Sequence, residues 1–275
     1  MPDLWSDLLA CLDLQPVASS ASDNTADSDA AVFTGPNQNL GYHRIFGGQL
    51  LGQFLAAAQR VCPDKSVKSM HSLFPREGKP DEPLEYHVRV HHQGRTFATT
   101  SIVAQQASGV VATASVSMHA PGDGPQLQHT EPVPPVLPAE HKADIGILPW
   151  DTRTVVDLDD TGSGTPEYEM WMRTPEVDSA LAPALTAYAT DLTLIGTALR
   201  PLEGVCQRGN GTAFHSAVTS HTVWFHRPFR TDEWLLLRQS SPVMAQARCF
   251  GRGDVLTENG SPVASFAQEA MVRFP

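Results

Sequence analysis

Two polar side chains sit where an apolar neighbour would be expected, and both have the chemistry to act on water. Asp191 is the one charge in a run of small apolar residues, Ala184, Ala187, Leu194 and Ala198, spaced at steps of three or four. That spacing is one stripe of a helix. A carboxylate drawn out of water has its ionised form disfavoured and its pKa raised, which brings it toward the range of a general base. At the wet edge of the stripe it would be merely solvated, and the pattern leaves both readings open. Gln268 interrupts a strand face made of Ala264, Phe266, Ala270 and Val272. Residues two apart share a face, so its amide needs partners in an apolar setting. Backbone groups could satisfy it structurally; a bound water or substrate could satisfy it functionally.

Other constellations carry less. No Gly-x-Ser-x-Gly elbow occurs, so the common serine hydrolase lacks its nucleophile motif. There is no His-Glu-x-x-His and no paired-cysteine pattern. The adjacent His91 and His92 point to opposite faces of a strand and cannot chelate one ion together. Neither a metal nor a cofactor is expected. Arg252-Gly253-Asp254 reads as a chance tripeptide within a strand, and Gly209-Asn210-Gly211 lacks the strand and helix that would make it a phosphate cradle.

The elements that must position Asp191 and Gln268 come in two copies. Phe74, Arg76, Asp81, Glu82 and Leu84 recur as Phe225, Arg227, Asp232, Glu233 and Leu235, 151 residues on. Val111-Ala112-Thr113 then realigns with Val263-Ala264-Ser265 at an offset of 152. A period this long is a duplicated domain, not a solenoid repeat. The copies differ at one telling place. Gln268 falls opposite Val116, on a face of copy one that runs Ala112, Ala114, Val116, Met118 without interruption. Copy two is therefore expected to carry the chemistry.

Each copy predicts a helix followed by antiparallel strands. In copy one Gly47-Gly48 opens a helix to about Val61, buried through Leu50, Leu51, Phe54, Leu55 and Ala58, with strands near 66–75, 83–92, 96–106 and 110–119. Copy two predicts a strand near 167–173, one helix near 179–199, and strands near 214–226, 233–241, 246–257 and 262–273, with a hairpin turn at Asn259-Gly260. Ahead of copy one, residues 3–14 form an amphipathic helix, and the polar stretch from Ser19 to Asp29 reads as loop. Six prolines between 120 and 140 mark a linker. The expected division is 1–120, a linker at 121–147, and 148–275; a sheet wrapped round one helix in each copy makes the class α+β.

The bulk numbers fit such a protein. With 275 residues, 41% hydrophobic and 18% charged, the chain is globular. A formal net charge of -11 argues against a nucleic-acid partner. No apolar run reaches the ~20 residues of a membrane span. Four scattered cysteines and no secretory leader point to a cytoplasmic protein with reduced thiols. A homo-oligomer is left open.

Several runs carry a family likeness. Phe46-Gly47-Gly48-Gln49-Leu50-Leu51-Gly52-Gln53, Ala189-Thr190-Asp191-Leu192, Trp224-Phe225-His226-Arg227-Pro228-Phe229 with Glu233-Trp234-Leu235-Leu236, and Val263-Ala264-Ser265 with Gln268-Glu269 together span nearly the whole chain. In this the chain resembles the type II acyl-CoA thioesterases, whose fold is a double hotdog, two helix-wrapped antiparallel sheets in one chain. The resemblance implies hydrolysis of acyl-CoA to a free fatty acid and CoA. It also implies a water held by an Asp, a Gln and a Ser or Thr hydroxyl. The Asp and Gln map to Asp191 and Gln268. The hydroxyl position falls on Val218, and the acidic residue that usually precedes the family's histidine is Ser220, before His221. Thr219 is the adjacent hydroxyl, and a bulge would be needed to re-aim it. On a regular strand Ser220 shares the face of Val218. Backbone N–H groups at a helix start would polarise the thioester carbonyl. The missing hydroxyl keeps open a non-catalytic acyl-CoA binding protein on the same fold. A hotdog hydratase would need a His beside its Asp, and none is near Asp191 in sequence.

Overall fold

The computed structural model describes residues 3–17 and 30–275; the Ser19–Asp29 stretch read as loop lies outside the described residues. The chain divides into two compact units, Met1–Gly124 and Pro125–Pro275.

The first unit runs α1 (Leu4–Leu12), β1 (Gln15–Pro16), β2 (Ala30–Gly35), α2 (Gly47–Val61), β3 (Ser66–Leu73), β4 (Leu84–Gln93), β5 (Phe97–Gln106) and β6 (Gly109–His119). Its strands lie in the order β1-β2-β4-β5-β6-β3, every pair antiparallel. α2 packs against β2 through β6. The expected stripe of Leu50, Leu51, Phe54, Leu55 and Ala58 is buried. Phe54 meets the Tyr86 ring edge-on at 5.7 Å. Burying a side chain of that size stabilises the unit by about 1.5–3 kcal/mol. Gln49 and Gln53 are buried on the same helix, and both are satisfied: Gln53 Nε2 donates to the Cys11 carbonyl at 2.9 Å, and the Gln38 amide donates to Gln49 Oε1 at 2.9 Å. These bonds tie α1 and the segment before α2 to the central helix.

The second unit runs β7 (Asp151–Arg153), β8 (Glu167–Arg173), a short 3-10 helix (Ser179–Leu181), α3 (Ala182–Thr190), α4 (Leu194–Leu199), β9 (His215–Phe225), β10 (Leu235–Ala245), β11 (Arg248–Thr257) and β12 (Pro262–Arg273), with further short 3-10 helices at Ala139–His141 and Gln207–Gly209. The order is β9-β12-β11-β10-β8-β7, again antiparallel throughout. Within the two units β2-β4-β5-β6-β3 and β8-β10-β11-β12-β9 have one topology, which is the duplication read from the repeat. Each unit is a hotdog, an antiparallel sheet with its helix packed on one face. The proline-rich stretch is not free of the sheet. Val133, Val136 and Leu137 pack on Trp171, Leu236 and Leu256, on the sheet face turned away from α4.

Two local expectations are corrected. The helix expected over 179–199 is broken at residues 191–193. The strand expected from 246 begins at Arg248, because Gln246 and Ala247 form the turn with φ of 51° and 57°. That turn was illegible because left-handed backbone is usually marked by Gly or Asn, as it is at Gly260 with φ 82°. Among the described residues no helix is long and apolar enough to cross a membrane, and no group of three or more His, Cys, Asp or Glu is placed to hold a metal ion.

Candidate functional site

Threonines and a glycine account for the helix break. Thr190 turns its hydroxyl back to the Ala187 carbonyl at 3.0 Å. The Leu192 amide reaches Ala189 only at 3.5 Å, and both the amide and the hydroxyl of Thr197 take the Thr193 carbonyl at 2.9 Å. Such side-chain bonds compete with the helical ladder and bend it. The new helix then seats directly on the sheet at Gly251, where a Cβ would lie 1.7 Å from Leu194 Cδ2. Gly251 is the register partner of Gln268, so the joint at 191–194 crosses the sheet at the row that carries Gln268. Asp191 occupies the C-terminal cap of α3 and is 4% exposed. It is not at a wet edge. The neighbouring threonines Thr186, Thr190, Thr193 and Thr197 are also fully buried. Their steps of four, three and four form a hydroxyl stripe that the sequence carried unread.

A bulge in β9 decides which side chains meet Asp191. Glu269 pairs with Ser220 and Ala270 with Val218, leaving Thr219 as the extra residue. One extra residue inverts the alternation of the strand beyond it. The buried face carries Ser216 before the bulge, then His221 and Val223 after it. An unbroken strand would have turned Ser220 inward and His221 outward. His221 thereby becomes the cross-strand partner of Gln268.

His221 is fully buried and joins the two residues picked out by sequence. Its Nδ1 lies 3.0 Å from Gln268 Oε1 and 3.9 Å from Asp191 Oδ1. Its Nε2 lies 3.1 Å from Thr190 Oγ1, and its ring stacks on Phe266 at 6.1 Å with planes 9° apart. Gln268 is 3% exposed, and its Nε2 has no hydrogen-bond partner. A buried donor held open is expensive unless something binds there. Thr219, the extra residue of the bulge, bonds to β12. Its hydroxyl donates to the Glu269 backbone carbonyl at 3.0 Å and lies 3.5 Å from Glu269 Oε1. The structure thus brings Asp191 and Gln268 together through His221 and holds the Thr219 hydroxyl on β12 instead. His221 was missed as a site residue because its inward direction depends on a bulge that no turn residue announces.

Covalent nucleophiles are poorly provided. Burial pushes the Cys249 thiol up to about 11, so it stays protonated at neutral pH. Ser265 lies 2.8 Å from His226 Nε2 but gives its proton to Asp254 Oδ1 at 2.5 Å. A serine nucleophile needs the histidine as the acceptor. Burial lowers the pKa of His226, which weakens it further as a base. A buried carboxylate and an open carboxamide donor remain, and together they can orient water and take its proton.

Comparison with known proteins agrees with the runs noted above. Residues 34–119 match the family model described as the acyl-CoA thioesterase N-terminal domain, and residues 112–272 the one described as the acyl-CoA thioesterase C-terminal domain. The chain is 28% identical over 302 aligned residues to acyl-CoA thioesterase 2 of Haemophilus influenzae, covering 100% of this chain and 99% of that one. The crystal structure of an acyl-CoA thioesterase II, TesB2, from Mycobacterium marinum superposes with a TM-score of 0.76 at 28% identity, covering 98% of each chain. A conserved protein with a hotdog fold from Alicyclobacillus acidocaldarius, at 17% identity, 98% coverage of each chain and TM-score 0.69, shares the fold.

Proposed function

The chain belongs to the acyl-CoA thioesterase family, and from that premise we propose that it hydrolyses the thioester of acyl-CoA, with Asp191 and Gln268 holding the attacking water. The observation that carries the residue assignment is that buried Asp191 and Gln268 both face His221 Nδ1, with the Gln268 amide donor left open.

In this reading Gln268 Nε2 donates to the water oxygen and Asp191 accepts one water proton. The oxygen attacks the thioester carbonyl carbon, and the carbonyl π electrons move onto its oxygen. Collapse of the tetrahedral intermediate breaks the carbon–sulfur bond. The thiolate of CoA leaves and takes up the proton from Asp191, and the fatty acid is released. No covalent enzyme intermediate forms, in keeping with the protonated Cys249 and the misdirected Ser265. Thr219 enters by pinning the bulge through Glu269, which turns His221 inward. An acyl-CoA substrate supports a cytoplasmic location for the working protein.

A thiol-release assay over a series of acyl-CoA chain lengths tests the reading. Release of one thiol per substrate in the wild type, lost in Asp191→Asn, is expected. Binding of acyl-CoA without thiol release would make the protein a carrier on the same fold.

A further inference from the structure

The Thr190 hydroxyl has one hydrogen, and two groups compete for it. The Ala187 carbonyl at 3.0 Å can only accept, so the hydrogen points there. His221 Nε2, at 3.1 Å from the same oxygen, then faces a lone pair to which a protonated ring nitrogen donates. On the other side of the ring, Nδ1 faces Gln268 Oε1 at 3.0 Å, again an acceptor. Both ring nitrogens thus face an oxygen that can accept, the arrangement that an imidazolium completes. Asp191, from the joint between α3 and α4, is the charged group facing the ring, with Oδ1 3.9 Å from Nδ1. Thr190, Gln268 and Phe266 face it without charge. A fully buried cation needs such a counter-charge and hydrogen-bond acceptors at both N–H groups.

We propose that His221 is a positioning residue for the hydrolysis: held doubly protonated between Thr190 and Asp191, it locks the Gln268 amide with its N–H turned toward the attacking water. The inference rests on the reading of Asp191 and Gln268 given above. The physical content is a choice between two amide orientations. A carboxamide turned the other way would set its NH2 against the Nδ1 hydrogen and leave only an acceptor for the water. While Nδ1 is protonated that orientation is excluded. Once Nδ1 loses its proton the amide can reverse, and the donor to the water oxygen is lost.

Two measurements on the full chain test this. The first needs no substrate. In protein labelled with nitrogen-15 at histidine, and with His221→Asn for assignment, both His221 ring nitrogens should carry hydrogen at neutral pH. A ring with one protonated nitrogen would overturn the proposal. The second is steady-state hydrolysis against pH. His221→Leu removes the lock, and kcat should fall about a hundredfold with KM little changed, as for loss of a positioned group. Asn at this position keeps a donor where Nδ1 stood, so His221→Asn should recover much of the rate. It should also lack the alkaline fall that the wild type shows where the ring loses its proton. Equal rates for wild type and His221→Leu, or the same alkaline limb in His221→Asn, would overturn the role. If His221→Leu does not fold, the ring spectrum and the His221→Asn profile still decide. A wild type that releases no thiol, or an Asp191→Asn variant at full rate, would instead remove the reading beneath; the spectrum would then judge the ring state on its own.

Discussion

Gln268 and His221 are register partners across β12 and β9, with Gln268 Oε1 3.0 Å from His221 Nδ1. Gln268 is thus tethered at one end of its amide and open at the other. A purely structural glutamine would have both ends used.

Asp191→Asn and Gln268→Ala should separate chemistry from folding. Asn keeps the shape of Asp191 and removes its charge, so kcat should drop about a hundredfold or more, the scale of a lost general base. Gln268→Ala should lower the rate with the fold retained. Circular dichroism and thiol release, measured on the same samples, check both. Full turnover in either variant would take that residue out of the mechanism.

Gly251→Ala tests the joint without substituting a residue of the cluster. The added methyl would meet Leu194 Cδ2, which lies 1.7 Å from the place of its carbon. Overpacking of this kind costs about 1–3 kcal/mol. α4 should be pushed from β11 and the 191–193 joint displaced, so a loss of thermal stability and of kcat should appear together. A variant as stable and active as the parent would mean that the helix has room to spare.

Val116→Gln examines the asymmetry of the copies. Val116 is 1% exposed, and its register partners are Met70 and Thr100. The Thr100 hydroxyl is buried without a partner and can take only one of the amide's hydrogen bonds. The remainder stays unsatisfied, and denaturant unfolding should register a loss of about 1–3 kcal/mol. An unchanged midpoint would show that the first unit tolerates the residue the second one uses.

Ala247→Gly should stabilise the protein. Ala247 holds φ at 57° in the exposed turn between β10 and β11, and left-handed backbone costs a residue with a Cβ about 1–2 kcal/mol. Glycine relieves this but gives back part of it as unfolded-state entropy. A rise in unfolding temperature with unchanged activity is expected, and calorimetry reads it directly.

What the sequence determined by itself is whatever local period and repetition encode. The 151-residue echo from Phe74 to Phe225 carried the duplication, and Gln268 against Val116 marked the unit with the odd polar residue. The apolar stripe of α2 and the Asn259-Gly260 turn were legible because each is written in neighbouring residues. The break at 191–193 was not, because the threonine bonds at the joint act together with helix contact at Gly251, far along the chain. Nor was the inward turn of His221. Side-chain direction in a strand has a period of two, so one extra residue at Thr219 reverses everything after it. That extra residue is decided by pairing with β12. The tertiary structure alone brought Thr190, His221, Asp191 and Gln268 together, since hydrogen-bond partners on α3, β9 and β12 are chosen by packing in space.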